Sequence, residues 1–120
     1  MKYRLLPWIL DKERGNIKLL ENRWRPTSLL YVSQARVILQ DVAQKYRFIA
    51  NAMDEVETLD RAAKYVQLIS RMRVFVRQAH FTWKGDQLVF IRAVSGFYTA
   101  YAAILRLIKE DEARGILKTD

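Results

Sequence analysis

The stretch 59-LDRAAKYVQLISRMRVFVRQAHFTW-83 decides the fold. Its apolar residues Tyr65, Leu68, Ile69, Met72, Val76, Ala79 and Trp83 recur at steps of three and four. That is the period of one helix face, not of a strand. Thr58 stands ahead of the run as a capping residue, and Gly85 and Asp86 follow as a break and the next cap. A long amphipathic helix over 58–84 is predicted. At about 100° per residue, Arg73, Arg77 and Lys84 fall on one flank of the apolar stripe and Lys64 and Arg71 on the other. Over 57–84, six cations stand against Glu57 and Asp60 alone, a balance of +4. Cations without acidic partners beside a buried stripe suit a polyanion, with a nucleic-acid backbone the first candidate.

Working outward, Pro26-Thr27-Ser28 reads as a helix start. Tyr31, Val32, Ala35, Ile38, Leu39, Val42, Tyr46, Ile49, Ala50 and Met53 continue the same periodicity, so a helix over 27–53 is predicted. Arg36, Gln40 and Arg47 lie together on its polar flank. Asp54-Glu55-Val56-Glu57 then sits where the positive N-terminal end of the 58–84 helix draws acids. That structural role suffices for these acids, with a carboxylate metal site as the alternative.

A third helix is predicted over 86–114, with Gly115 just past its end. Phe90, Val94, Phe97, Tyr101, Ile104, Leu105 and Ile108 form a broad apolar face. Ala93, Gly96, Ala100 and Ala103 form a ridge of small residues beside it, where another helix can approach closely. This helix is either central or covered by a neighbouring subunit. Arg92, Arg106 and Gly96 interrupt the apolar run 88–108, which favours a buried helix over a membrane span.

Residues 1–26 read as irregular or only partly helical, because Pro7 and Gly15-Asn16 break any long element. This segment holds seven basic residues against three acidic ones. Trp24, between Arg23 and Arg25, suits either stacking on a base or anchoring in the core. The fold class is therefore all-α. The expected architecture is an antiparallel bundle of three long helices (27–53, 58–84 and 86–114) plus the N-terminal segment, in one domain over 1–120.

Composition agrees with a single folded domain. Of 120 residues 51% are hydrophobic, and a chain of this length hides roughly two-thirds of its extended surface on folding. The net charge is +8 and the pI about 10.0. This balance favours nucleic acid or an anionic membrane surface as partner, with a solvated basic surface as the plain alternative. There is no cysteine, which excludes disulfides, thiolate zinc sites and thiol catalysis, and fits a reducing, cytoplasmic compartment.

Catalysis finds little footing. His80 is the only histidine and has no carboxylate or second ligand nearby in sequence. No phosphate-binding glycine loop, paired carboxylates or nucleophile motif occurs. No enzyme activity, cofactor or metal is expected. Most aromatics fall on the apolar stripes, as core residues do, but Phe48 and Phe81 fall away from theirs. Such rings suit an interface, exposure, or a place under the N-terminal segment. A helix-turn-helix reader is disfavoured, since the helices are too long and 86-DQLV-89 is not basic.

Two stretches carry a resemblance. Thr27-Ser28-Leu29-Leu30-Tyr31 running on to Arg36, and Phe97-Tyr98-Thr99-Ala100-Tyr101, resemble the opening and closing helices of the small helical subunit of class 1 CRISPR interference complexes, especially the type III form. The resemblance implies a non-enzymatic subunit of an antiviral ribonucleoprotein, stacking in a few copies beside other subunits. It implies backbone contacts to guide RNA, target nucleic acid or a displaced strand, and no membrane partner. The residues carried over are Arg36, Arg47, Lys64, Arg71, Arg73, Arg77 and Lys84. A helical scaffold of a phage or mobile-element assembly is the competing expectation.

Overall fold

A computed structural model of the chain describes residues 5–14, 32–57, 59 and 61–115. Five helices lie among them: α1 (Leu5–Glu13), α2 (Val32–Asn51), α3 (Met53–Glu57), α4 (Ala62–Thr82) and α5 (Gln87–Ala113). The described residues hold no strand, so the chain is all-α.

The centre is α5. Fourteen of its 27 residues are buried, because its apolar residues occupy most of its circumference. It packs most extensively on α4 and also touches α1 and α2. Asp86 caps its start by accepting a hydrogen bond from the Val89 amide at 3.0 Å. Gly115 follows its end with φ +76°, the left-handed conformation that a side chain disfavours.

The four residues 83–86 turn α4 back along α5. At the far end Arg61 and Tyr65 reach Asp111, and midway Phe75 lies over Gly96. A Cβ built on Gly96 would stand 2.5 Å from the Phe75 ring, so any side chain there would have to displace that ring. This tertiary clasp holds the start of α4 against α5. The helix begins at Ala62, with Arg61 in the capping position and no side-chain cap. The predicted cap, Thr58, lies outside the described residues. Arg61 instead donates to Asp111 at 3.1 and 2.6 Å and to Glu110 at 2.8 Å.

Two sequence expectations change. The helix predicted to end at residue 53 ends at Asn51, and after a turn at Ala52 the acidic run is itself the helix α3. Ala52 and Val56 are fully buried and hold it in place. Glu55 accepts from the Leu5 and Leu6 amides at 2.8 and 3.2 Å, so it caps α1 and not α4. Pro7 was expected to break structure. It sits in the first turn of α1, where a missing N–H leaves no helix bond unmade. Leu6, Ile9 and Leu10 of α1 are at most 1% exposed, so this part of the N-terminal segment belongs to the core. Residues 15–31, including Trp24 and the predicted start at 27, lie outside the described residues.

Candidate nucleic-acid interface

Helix α4 carries Lys64, Arg71, Arg73 and Arg77 and no acid. Tyr65, Ile69, Met72 and Ala79 are its buried stripe, and the cations stand on either side of it as the helical period requires. All seven predicted cations are exposed. Among the described residues none of the seven has an ion-pair partner. Lys84 lies 4.9 Å from the ring centre of its neighbour Trp83.

The two flanks of α4 face different neighbours. Arg77 and His80 line a groove of about 410 Å³ whose other wall is Leu39, Gln40 and Ala43 of α2. Val32 and Ala35, at the start of α2, meet Trp83 and Lys84 past the end of α4, so the two helices run antiparallel. Arg36 and Arg47 lie four residues before and seven after Gln40, on the same line of α2. Arg73 lies four residues before Arg77 on α4, and Lys84 seven after it, past the helix end. Arg77 lines the groove; by helical period Arg36 and Arg47 of α2 and Arg73 of α4 fall on the same side of their helices, and Lys84 follows past the end of α4. Each set spans eleven residues, or about 16 Å of helix. Among the described residues no carboxylate lines this groove.

Lys64 and Arg71 do not join them. Lys64 lines a second groove, of about 290 Å³, between α4 and α5 with Arg106 and Glu110. Arg71 lies two turns on from Lys64 on the same side. Glu110 is already bound to Arg61 at 2.8 Å, but its charge weakens the pull of this side on an anion.

The small-residue ridge faces α4. Ala93 and Ala100 are buried, the Phe75 ring covers Gly96, and Ala103 lines the α4–α5 groove. The helix that this ridge admits is thus one of the chain's own. Phe48 and Phe81 have different fates. Phe48 meets Trp8 of α1 edge-on at 5.1 Å, with Lys12 4.4 Å above its ring. Phe81 is 83% exposed on the rim of the α2–α4 groove.

The charged groups inside the fold have structural work. Asp111, 1% exposed, accepts from Arg61 and, at 2.8 Å, from the Tyr65 hydroxyl. Hydrogen bonds to Glu110 and then Asp111 push the Arg61 guanidinium further up. Burial, then the bond to Asp111, pushes the Tyr65 hydroxyl far up. Lys45 bridges Glu13 at 3.0 Å and Asp41 at 3.1 Å, and Tyr98 donates to Asp41 at 2.6 Å. Burial also pushes the Tyr101 hydroxyl far up, with smaller effects from Glu13 and Asp41. Sequence reasoning missed Lys45 and the capping role of Glu55, because their partners lie 32 and about 50 residues away. Only the i,i+4 spacing of Asp41 and Lys45 hinted at either.

Among the described residues no three His, Cys, Asp or Glu side chains group as metal ligands. By length and composition α5 is apolar enough to cross a membrane, yet 61% of its most apolar window is buried within the chain. No protein-family model matches the chain, and neither curated proteins nor solved structures gave a match.

Proposed function

We propose that this chain is a non-catalytic small subunit of a cytoplasmic ribonucleoprotein complex of the CRISPR-effector kind. It binds nucleic-acid backbone without regard to sequence. In this reading α2, α4 and α5 form an antiparallel three-helix bundle, with α1 packed against it. The observation that carries the reading is the α2–α4 groove, lined by Arg77 and, among the described residues, by no carboxylate, with exposed Arg36, Arg47 and Arg73 on the same helix lines. A solvated basic surface ordinarily intersperses acids with its cations. Phosphate contacts position a polyanion and carry no base information, which fits side chains spread along 16 Å rather than gathered at a helix start (about 16 Å by helical rise). A scaffold that docks partners on the small-residue ridge of α5 has less to stand on, since α4 covers that ridge.

The test is binding of purified protein to RNA and DNA oligonucleotides of several sequences at low salt. Arg73→Ala with Arg77→Ala weakens binding to all of them by a similar factor. Unchanged affinity in that double variant refutes the groove assignment.

A further inference from the structure

The α2–α4 groove has more than charge. Leu39, Ala43 and Val76 are half-buried and make an apolar floor between the cationic rims. Phe81 stands at its edge, and among the described residues the ring it meets is His80, edge-on at 5.9 Å. A phenylalanine left 83% in water among arginines contributes almost nothing to the core. Its place in the helix is specific: Arg77 is one turn before it and Lys84 one turn after it, both within side-chain reach.

We propose that the groove takes single-stranded nucleic acid, with one base stacked on Phe81 and the adjoining phosphates on Arg77, Arg73 and Lys84. This inference rests on the backbone-binding reading and adds the strandedness of the ligand. A duplex keeps its bases stacked and offers the groove only phosphates, so Phe81 and the apolar floor stay in water. A single strand offers both phosphates and base faces, and an aromatic side chain between cations matches that pair. A volume of about 410 Å³ is room for a small aromatic group. An acidic amphipathic peptide is the competing occupant, and it enters the test as one arm.

The experiment uses the full chain and four probes: a 2-aminopurine-labelled single-stranded RNA, the same sequence as DNA, the corresponding duplex, and an acidic amphipathic peptide. Because Phe81 is exposed, Phe81→Ala keeps the fold, and unchanged helicity by circular dichroism verifies this. The expected result is a change in 2-aminopurine emission with wild-type protein and its loss with Phe81→Ala. The variant binds the single strands on the order of tenfold more weakly and the duplex equally well. Equal binding of strands and duplex, untouched by Phe81→Ala but weakened by Arg73→Ala with Arg77→Ala, overturns the stacking inference and leaves backbone binding standing. No response to the arginine double variant overturns both. Phe81-dependent binding of the peptide, without such dependence for either single strand, overturns the inference in favour of a protein partner.

Discussion

Removing two charges from one flank of α4, and then two from the other, separates a defined groove from a general effect of net charge. Arg77 lines the α2–α4 groove and Lys84 the pocket at its end, with Arg73, Arg36 and Arg47 on the same helix lines, whereas Lys64 lines the α5-side groove and Arg71 shares its line. Each phosphate neutralised on a single strand contributes about −0.7 to the slope of log K against log salt, so five cations give about −3.5. Arg73→Ala with Arg77→Ala leaves three and lowers the slope to about −2.1. Between 50 and 200 mM salt, wild-type protein then loses roughly 130-fold in affinity and the double variant roughly 20-fold. Lys64→Ala with Arg71→Ala removes the same net charge but leaves the groove intact, so its slope stays near the wild-type value. Fluorescence anisotropy titrations of a labelled single strand across that salt range measure all three slopes. Equal slope changes in the two double variants refute the groove, because the binding then follows total charge and not position.

Three further outcomes follow from the packing. Gly96→Val forces a side chain into the Phe75 ring and lowers stability by about 1–3 kcal/mol; in thermal melts a Phe75→Ala background makes the loss smaller, and full additivity counts against the contact. Two of the buried tyrosines, Tyr65 and Tyr101, respond differently in urea denaturation. Tyr65→Phe removes a 2.8 Å bond to buried Asp111 and costs about 1 kcal/mol, while Tyr101→Phe removes a buried hydroxyl with no partner and is neutral or stabilising. At alkaline pH, stability falls as pH rises past the ordinary tyrosine value of 10.0, since the unfolded chain releases protons that folded Tyr65 and Tyr101 retain. Denaturation series from pH 8 upward read this directly, and a flat profile in wild-type protein, equal to that of the double Phe variant, contradicts it.

The helices were legible because local periodicity controls them. Spacing of apolar residues placed α4 within four residues of its predicted start, 58, and two of its predicted end, 84, and α5 within one residue at each end. Asp86 acts as the predicted cap, and Gly115 follows the predicted end. The errors fell where distant residues decide. Pro7 reads as a breaker until its place in a first turn is known, and the acidic run reads as a connector until Glu55 is seen on the α1 amides. The start of α4 carries Arg61 bound to Asp111 fifty residues away, a contact local sequence does not announce.

The division of cations shows the same boundary. From sequence alone, the helical period separates Arg73, Arg77 and Lys84 from Lys64 and Arg71, because rotation per residue is a property of one helix. It likewise puts Arg36 and Arg47 on one line of another helix. Whether the lines of two helices meet depends on direction and packing, which hydrophobic burial decides across the whole chain. The antiparallel contact of α2 with α4 brings two of the lines to one groove and leaves the third on the α5 side, near Glu110. Sequence thus determined which residues are cationic and which face of its own helix each occupies. Only the tertiary structure set the Arg77 line of α4 across from α2 along one groove, with exposed Phe81 on its rim, since that juxtaposition is a property of how helices pack and of no single helix.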